Sequence, residues 1–191
     1  FDDLSKRAPY AAVMTSLNCP YRCSFCCISA PFGNNQYRMR DPVAVADEIY
    51  HLWTRYGVRT FKITDEMFCL NRRHVEAVSA ALCVHRAVDP TFDPNVWAYA
   101  RIDSVMPDLL VLMRRAGFRW LALGIESSSE HVRDGSNKHL RNDDIVGVVR
   151  GIQASGINVI GNFIVGLPDD TPETMEDTYQ LAAALNCEFI N

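Results

Sequence analysis

The sequence lacks several features that would assign it to a common class of protein. Its 191 residues contain no signal peptide and no apolar run long enough to cross a membrane. No glycine-rich phosphate loop, dinucleotide fingerprint or Ser, His and Asp arrangement of a hydrolase can be argued. The 5 histidines show no metal-ligand spacing, and no second pair of ligands completes a zinc motif. These absences argue against a membrane protein, a nucleotide-binding sheet and a structural zinc domain.

What the chain does have is the composition of an ordinary cytosolic enzyme. Its residues are 48% hydrophobic and 22% charged, which is enough apolar material for one full core. The formal net charge of -4 argues against a surface that wraps nucleic acid. We therefore expect a cytoplasmic protein without a membrane or nucleic-acid partner. Because the chain begins at Phe1 and ends inside an apolar run, we interpret residues 1–191 as a single domain from a longer protein.

Three of the 7 cysteines, Cys19, Cys23 and Cys26, form the motif C-x3-C-x2-C within one short loop. Three thiolates can hold a metal cluster, and a cluster of four irons normally takes four thiolates. The motif therefore leaves one iron for a distant ligand or for another task. Zinc is the first alternative, but it usually takes four tetrahedral ligands in two separated pairs. The odd cysteine count and the cytosolic composition also disfavour disulfides, so we favour an iron-sulfur cluster.

Short apolar runs alternate with amphipathic segments along the whole chain. The runs predict strands, and segments with one apolar face between capping residues predict helices. The predicted strands are 11–17, 58–63, 96–100, 118–125, 157–165 and one that begins at 187. The predicted helices are 42–56, 71–87, 107–116, 143–154 and 171–185.

This alternation predicts the α/β class, because parallel strands need a helical crossover between them. Six such units without a nucleotide fingerprint favour a partial barrel of the TIM type, (β/α)6, truncated near strand six. In such barrels the chemistry lies where the strands end. The cysteine loop follows the first strand, and other candidate residues follow the next four: Asp65 and Glu66, Arg101, Glu126, and Gly166. We therefore expect all of them on one rim.

The C-x3-C-x2-C loop, with the aromatic Phe25 directly before its last cysteine, resembles the signature of the radical S-adenosylmethionine (radical SAM) superfamily. Further segments are similar to the branch of that superfamily whose members often carry a cobalamin-binding domain upstream. They are Arg38 with Arg40, 63–68, 123–127, 137–138 and 162–168. The resemblance covers nearly the whole chain and implies the partial barrel of a radical SAM core domain.

The resemblance implies a [4Fe-4S] cluster in which Cys19, Cys23 and Cys26 each bind one iron, while SAM chelates the fourth. It implies an enzyme that cleaves SAM reductively to a 5'-deoxyadenosyl radical, which abstracts hydrogen from a small-molecule substrate. In this branch the expected reaction is a cobalamin-dependent methylation or ring rearrangement, with cobalamin on a domain outside this chain. The electron would come from a donor such as flavodoxin or ferredoxin.

The resemblance also implies residues that bind the methionyl and ribose groups of SAM. Asp65 or Glu66 would accept from the methionyl amine, although either could instead be a solvated loop residue or a helix cap. Glu126 would accept from the ribose hydroxyls, and its plainer alternative is a salt bridge with Lys138. Lys138 or Arg101 would meet the methionyl carboxylate, with a solvated surface charge as the alternative for each.

The adenine ring would lie against strand five in the family, at the positions of Asn162, Ile164 and Gly166. Here Asn162 and Asp169 depart from the family's G-x-I-x-G-x-x-E form. Two other interpretations stay open. A tRNA-modifying methylthiotransferase would share this core and carry a further cluster-bearing or RNA-binding domain, and a non-catalytic module would hold zinc. The remaining cysteines could be extra ligands or hydrogen donors, but free cysteine is commonly a small buried residue. They are Cys27, Cys69, Cys83 and Cys187; the last two lie in apolar patterns, and Cys69 near the rim is the one to test.

Overall fold

A computed structural model describes residues 9–28, 30–140 and 144–191. Its strands in chain order are β1 (Tyr10–Val13), β2 (Ser16–Leu17), β3 (Arg38–Met39), β4 (Thr60–Ile63), β5 (Asn95–Arg101), β6 (Phe118–Glu126), β7 (Asn158–Phe163) and β8 (Phe189–Ile190). Six of them form one sheet in the order β1-β4-β5-β6-β7-β8, and every neighbouring pair is parallel. The remaining two, β2 and β3, form a separate antiparallel pair.

Helices connect the strands of the sheet. They are α1 (Pro42–Tyr56), α2 (Arg72–Val88), α3 (Leu110–Ala116), α4 (Glu130–Gly135), α5 (Ile145–Ala154) and α6 (Pro172–Leu185). Local signals set their ends. Asp41 caps α1 by accepting from the amide of Ala44 at 2.8 Å, and Gly57 ends it with a φ of 68°.

The predicted α/β class and the partial TIM-type barrel are confirmed. The sheet is parallel, with helical crossovers, and within the described residues the edge strands β1 and β8 do not pair with each other, so the barrel is open. Among the residues that the structure describes, no helix has the length and apolarity needed to cross a membrane.

Several predicted boundaries differ from those observed. The run 11–17 is two strands, because the chain leaves β1 and pairs its next residues with β3. The helix 107–116 begins as a 3-10 turn, Pro107–Leu109, and becomes α-helical only at Leu110. The predicted start at Asp143 lies outside the described residues, and Asp144 caps α5. The strand 157–165 stops at Phe163, and the short helix α4 lies in a stretch that the sequence predicts as polar loop.

The two faces of the sheet differ in what they pack against. Fully buried side chains on the outer face, such as Phe61, Phe118 and Leu121, form one large core with the helices. The inner face carries a smaller cluster in which Trp120, Ala122 and Ile160 are buried. Alternation along the strands explains the difference, since successive side chains point to opposite faces. The start of β6 departs from it, because a register shift against β5 leaves Phe118 and Trp120 on opposite faces although they are two residues apart.

Side chains of the inner face lie in rows across neighbouring strands. From the amino to the carboxyl ends of the strands, the rows are Lys62, Trp97, Trp120 and Asn158; Tyr99, Ala122, Ile160 and Phe189; and Arg101, Gly124 and Asn162. The first row is held partly by the ammonium of Lys62, which lies 4.5 Å from the centroid of the Trp97 ring. The last row is polar or small, so the carboxyl ends of the strands can border an open cleft.

Candidate functional site

The three cysteines of the motif border one cavity. Cys19, Cys23 and Cys26 line a cleft of about 250 Å³ at the carboxyl ends of the central strands. The amide of Cys26 donates to the carbonyl of Cys23 at 3.0 Å, so a tight turn brings both residues to the same cleft. Cys19 and Cys23 are half-buried, and Cys26 is exposed. The fold therefore brings the three cysteines together at this rim, where the sequence predicts them.

Asparagine side chains fasten the start of the loop. Asn18 has a φ of 74°, in the left-handed region that asparagine tolerates better than most residues. Its side-chain oxygen accepts from the amide of Cys19 at 2.8 Å, and its amide nitrogen donates to the carbonyl of Asn34 at 2.5 Å. Asn35 donates to the carbonyls of Cys19 and Tyr21 at 3.3 and 3.0 Å. The first cysteine is thus held by a turn that begins directly before it.

Arg101, the last residue of β5, contacts the middle of the loop. Its side chain is 6% exposed, and Nε donates to Asp103 at 2.9 Å. One terminal nitrogen donates to the carbonyl of His139 at 2.6 Å, and the other donates to Cys23 Sγ across 3.9 Å. The guanidinium carbon lies 3.9 Å from the centroid of the Tyr21 ring. Arg101 borders the predicted cleft, but its hydrogen bonds join it to the cysteine loop and to its own neighbours.

Asp65 is buried beneath the loop. Its carboxylate accepts from the amide of Thr15 at 2.6 Å, from the hydroxyl of Thr15 at 2.5 Å and from the hydroxyl of Ser16 at 2.6 Å. Thr15 Oγ1 also lies 2.9 Å from Nε2 of His74, which is itself buried. Burial lowers the pKa of His74, although the charge of Asp65 acts in the opposite direction. Asp65 therefore fastens the chain that leads into the cysteine loop.

Glu66 differs from its neighbour, because its carboxylate accepts from the amide of Asn18 at 2.8 Å at the edge of the cleft. A second cavity of about 330 Å³ adjoins the first and is bordered by Asp65 and Glu66. Both cavities share Cys19, Cys26, Glu66 and Tyr99. Two cysteines of the loop therefore border both cavities, and Glu66 is an acidic residue that also borders both.

Glu126 and Lys138 form a buried ion pair at the same cleft. Glu126 ends β6 with a φ of 66°, next to a shift in the register between β6 and β7. Nζ of Lys138 contacts Oε1 of Glu126 and donates to the carbonyl of Gly124 at 2.9 Å. The two side chains are 10% and 5% exposed. The salt bridge considered as the plainer role of Glu126 thus exists, and both of its members border the cleft.

The other predicted residues are divided between the cleft and its surroundings. Asn162 and the 41% exposed Phe25 line the cleft. Ile164 donates its backbone amide to the carbonyl of Glu126 at 2.8 Å, and so supports the end of β6. Among the residues that the structure describes, those lining the two cavities include every predicted site residue except Ile164 and Gly166.

The thiols of the loop are partly desolvated. Burial raises the pKa of Cys19 and of Cys23 above the ordinary value for a thiol. At Cys23 the positive charges of Lys138 and Arg101 act in the opposite direction and favour the thiolate. Because the thiolate is the form that binds metal, metal binding here is coupled to the release of protons.

The three thiols that border the cleft and the cations beside Cys23 make up a set of groups that suits an iron-sulfur cluster. Across the described ranges, no group of three or more His, Cys, Asp or Glu side chains could hold one metal ion. A single zinc ion needs its ligands at one point, whereas an iron-sulfur cluster takes one thiolate at each of several irons. The cleft also carries two cations near Cys23, which favour an anionic cluster with thiolate ligands. The residues present therefore fit a cluster.

The remaining cysteines have other surroundings. Cys69 is buried, and burial raises the pKa of its thiol to about 12, with a further contribution from the charge of Asp65. Cys27 is exposed beside Cys26. Neither Cys27 nor Cys69 is among the described residues that line the two cavities. An additional role for either one stays a prediction to be tested.

Sequence reasoning missed several residues that build the site. Asn18 had a usable signal, since an asparagine directly before a loop is typical of a left-handed turn. Tyr99 also had a usable signal, because it lies two residues after Trp97 in a strand and its side chain must point to the same face. Tyr21, Asn35 and their contacts carry no periodic pattern, because their partners are far away along the chain.

Comparison with known proteins gives consistent results. The family model described as Radical SAM superfamily matches residues 13–182. The chain is 28% identical over 181 residues to an uncharacterized methyltransferase of Pyrococcus horikoshii, covering 95% of this chain and 38% of that protein. It is 33% identical over 167 residues to the anaerobic magnesium-protoporphyrin IX monomethyl ester cyclase of Cereibacter sphaeroides, covering 86% of this chain and 26% of that protein. The chain thus spans about a quarter to two fifths of the length of these relatives.

The fold is similar to that of TsrM from Kitasatospora setae, a radical S-adenosylmethionine methyltransferase. A structure of TsrM with tryptophan and a SAM analog superposes with a TM-score of 0.88 at 22% identity, covering 99% of this chain and 36% of that one. A second structure, with cobalamin and a [4Fe-4S] cluster, also gives 0.88 at 22% identity, covering 98% and 34%. At this level of identity the likeness concerns the fold.

Proposed function

The chain belongs to the Radical SAM superfamily, and from this premise we propose that it is the core of a radical SAM enzyme. In this proposal Cys19, Cys23 and Cys26 hold a [4Fe-4S] cluster, and SAM binds in the adjoining cleft. The cluster, when bound, supplies the electron for the reductive cleavage of SAM. The observation that carries the proposal is that the three cysteines border one cleft together with the ion pair of Glu126 and Lys138.

The protein's own part begins with the thiols. Their burial disfavours a free thiolate, so the chain must supply positive charge where metal is to bind. Arg101 and Lys138 supply it beside Cys23.

Charged groups around the cleft are proposed to orient SAM. Glu66 presents a carboxylate to the methionyl amine, and Lys138 presents an ammonium to the methionyl carboxylate. Glu126 accepts from the ribose hydroxyls while Lys138 holds one of its oxygens, so the carboxylate has a fixed direction. Arg101, with most of its donors engaged by the loop and its neighbours, acts on the cluster side of the cleft.

Less polar parts of the cleft are proposed to receive the adenosyl group. Phe25 offers a ring for stacking, and Asn162 borders the cleft near the end of β7, where its side-chain amide already donates to the carbonyl of Leu123 at 3.0 Å. Ile164 and Gly166 contribute through the backbone that follows this strand, and Asp65 contributes by fixing the chain before the first cysteine. Each of these roles is a proposal that substitution can test.

The reaction is proposed to be methylation or ring rearrangement of a small organic substrate. Relatives described as methyltransferases and as a cyclase support this class. Cobalamin is proposed to bind on a domain outside this chain, as the fold shared with a cobalamin-bearing methyltransferase suggests. A flavodoxin or ferredoxin is proposed as the electron donor in the cytoplasm, because reduction of the cluster requires one electron from a low-potential partner.

The test is anaerobic reconstitution of the protein with iron and sulfide. The wild type should be brown, contain about four irons per chain and give an electron paramagnetic resonance (EPR) signal after dithionite. With SAM and dithionite as the reductant it should release 5'-deoxyadenosine. The triple variant Cys19→Ala, Cys23→Ala, Cys26→Ala should bind no cluster and release none.

The matched control is Cys83→Ala, because Cys83 lies on α2 in a surface groove beside Arg86 and Arg115. It should keep the cluster. The proposal is wrong if the wild type binds no iron or if the triple variant binds as much as the wild type. Zinc in place of iron by elemental analysis would instead support the non-catalytic module.

A further inference from the structure

We propose that Arg101 is a positioning residue that fixes Cys23 and raises the reduction potential of the cluster. The inference rests on the proposed cluster at Cys19, Cys23 and Cys26 and deepens it, because it assigns a group that sets the energy of the electron. It is a different role from the one that the sequence predicts, which is contact with the methionyl carboxylate.

The guanidinium of Arg101 has a fixed orientation. Nε and one terminal nitrogen donate to the two carboxylate oxygens of Asp103 at 2.9 and 3.3 Å, and the Asp103 side chain is 2% exposed. The same terminal nitrogen donates to the carbonyl of His139 at 2.6 Å. A planar fork held on two of its nitrogens cannot turn without breaking charge-assisted bonds. The direction of the remaining nitrogen is therefore set by the fold.

That remaining nitrogen donates to the sulfur of Cys23 across 3.9 Å. The face of the guanidinium covers the ring of Tyr21, with 3.9 Å between its carbon and the ring centroid. On the other side of the loop, the amide of Ser24 donates to the carbonyl of Ser136 at 3.0 Å. The segment around Cys23 is thus held from two directions, and Arg101 holds the part that carries the sulfur.

A donor and a positive charge beside a ligand sulfur favour the reduced cluster. Reduction adds one negative charge, and hydrogen bonds to the sulfurs together with local charge are known to set the potentials of such clusters. The charge of Asp103 offsets part of that of Arg101, but it faces the opposite edge of the guanidinium. Lys138 is also near Cys23, but Glu126 holds it. Among the residues that the structure describes, Arg101 is therefore a cation whose donor is directed at a ligand sulfur.

The experiment is an EPR-monitored redox titration of the reconstituted protein. In Arg101→Met, which removes the charge and the donors, the one-electron reduction equilibrium should shift about tenfold toward the oxidised form, which corresponds to about 59 mV for one electron. Arg101→Lys keeps the charge without the fork and should shift less. The control is Arg119→Met, because Arg119 lies at the amino end of β6, away from the cleft, where it pairs with Asp93. This variant should leave the potential unchanged.

A second measurement has its main readout in the wild type, so that readout does not depend on how well a variant folds. Wild-type protein labelled with ¹⁵N-arginine should show nitrogen hyperfine coupling to the reduced cluster in pulsed EPR, and Arg101→Lys should remove it. An unchanged potential in Arg101→Met, or absence of the coupling in the wild type, would overturn the inference. Lower iron content without a shift in potential would also overturn it, because it would show a purely structural role. A wild type without any cluster would refute the proposed function instead.

Discussion

Replacing Asp65 with alanine tests the buried anchor beneath the cysteine loop. The carboxylate accepts from the amide and the hydroxyl of Thr15 and from the hydroxyl of Ser16, at 2.5 to 2.6 Å. In Asp65→Ala the hydroxyl of Thr15 can turn toward His74, which lies 2.9 Å away, so two buried donors lose their acceptor. Two hydrogen bonds to a charged acceptor correspond to about 3–6 kcal/mol of unfolding free energy. This is a large share of the total of about 5–15 kcal/mol for a typical domain.

The assay is urea unfolding of the metal-free protein, followed by far-ultraviolet circular dichroism and extrapolated linearly to water. Asp65→Asn keeps one carbonyl oxygen as an acceptor and should lose about half as much free energy. The control is Asp47→Ala, because Asp47 is 60% exposed and pairs with His85 at the surface. That variant should lose less than about 1 kcal/mol.

The reasoning fails if Asp65→Ala loses less than about 1 kcal/mol with an unchanged slope in urea, since the network would then carry no stability. A second readout separates the anchor from general stability. After reconstitution at a temperature where the variant is folded, Asp65→Ala should bind less iron than Asp47→Ala, because the chain before Cys19 is no longer held.

Three further predictions concern other buried groups. Glu126→Gln leaves the ammonium of Lys138 buried without its anion, so the free energy of unfolding in urea should fall by about 3 kcal/mol. The double variant with Lys138→Met should recover at least half of that loss, and no recovery would contradict the pairing. Asn18 has a φ of 74°, so the free energy of unfolding of Asn18→Ala should be lower than that of Asn18→Gly by about 1 kcal/mol. Equal unfolding midpoints of the two variants would refute backbone strain at this position. Burial lowers the pKa of His74 below 6.5, so as the pH falls below that value the unfolded chain binds a proton that the folded chain does not. The free energy of unfolding should therefore decrease with falling pH, less steeply in His74→Gln, and parallel pH profiles would contradict this.

The parallel sheet could be predicted from the sequence because its signals are local. Alternating strands and helices leave periodic patterns, and caps such as Asp41 and Thr171 mark helix ends through contacts within four residues. The rim position of the cysteines follows from the same order, since every parallel strand ends on the same side. These inferences need no knowledge of distant contacts.

What the sequence could not supply depends on pairs that are far apart along the chain. Asp65 and Glu66 are neighbours of the same charge, yet one is buried under the loop and the other borders the cleft. The pairing of β2 with β3 splits what looks like one apolar strand. The sequence predicts Arg101 only as a positive charge on the rim, and the folded position of the loop brings it to the sulfur of Cys23. Such contacts leave no periodic trace in the sequence.

The fastening of the cysteine loop has a consequence for the order in which the protein matures. Thr15 meets Asp65 across 50 residues of chain, and Cys23 meets Arg101 across 78. Closing spans of this length costs entropy that is recovered only when β4 and β5 are already assembled. We therefore expect the three thiols to reach their common cleft after the sheet has formed. If the cluster is bound as proposed, metal delivery is thus expected to act on a folded chain, and the sheet is expected to fold without iron.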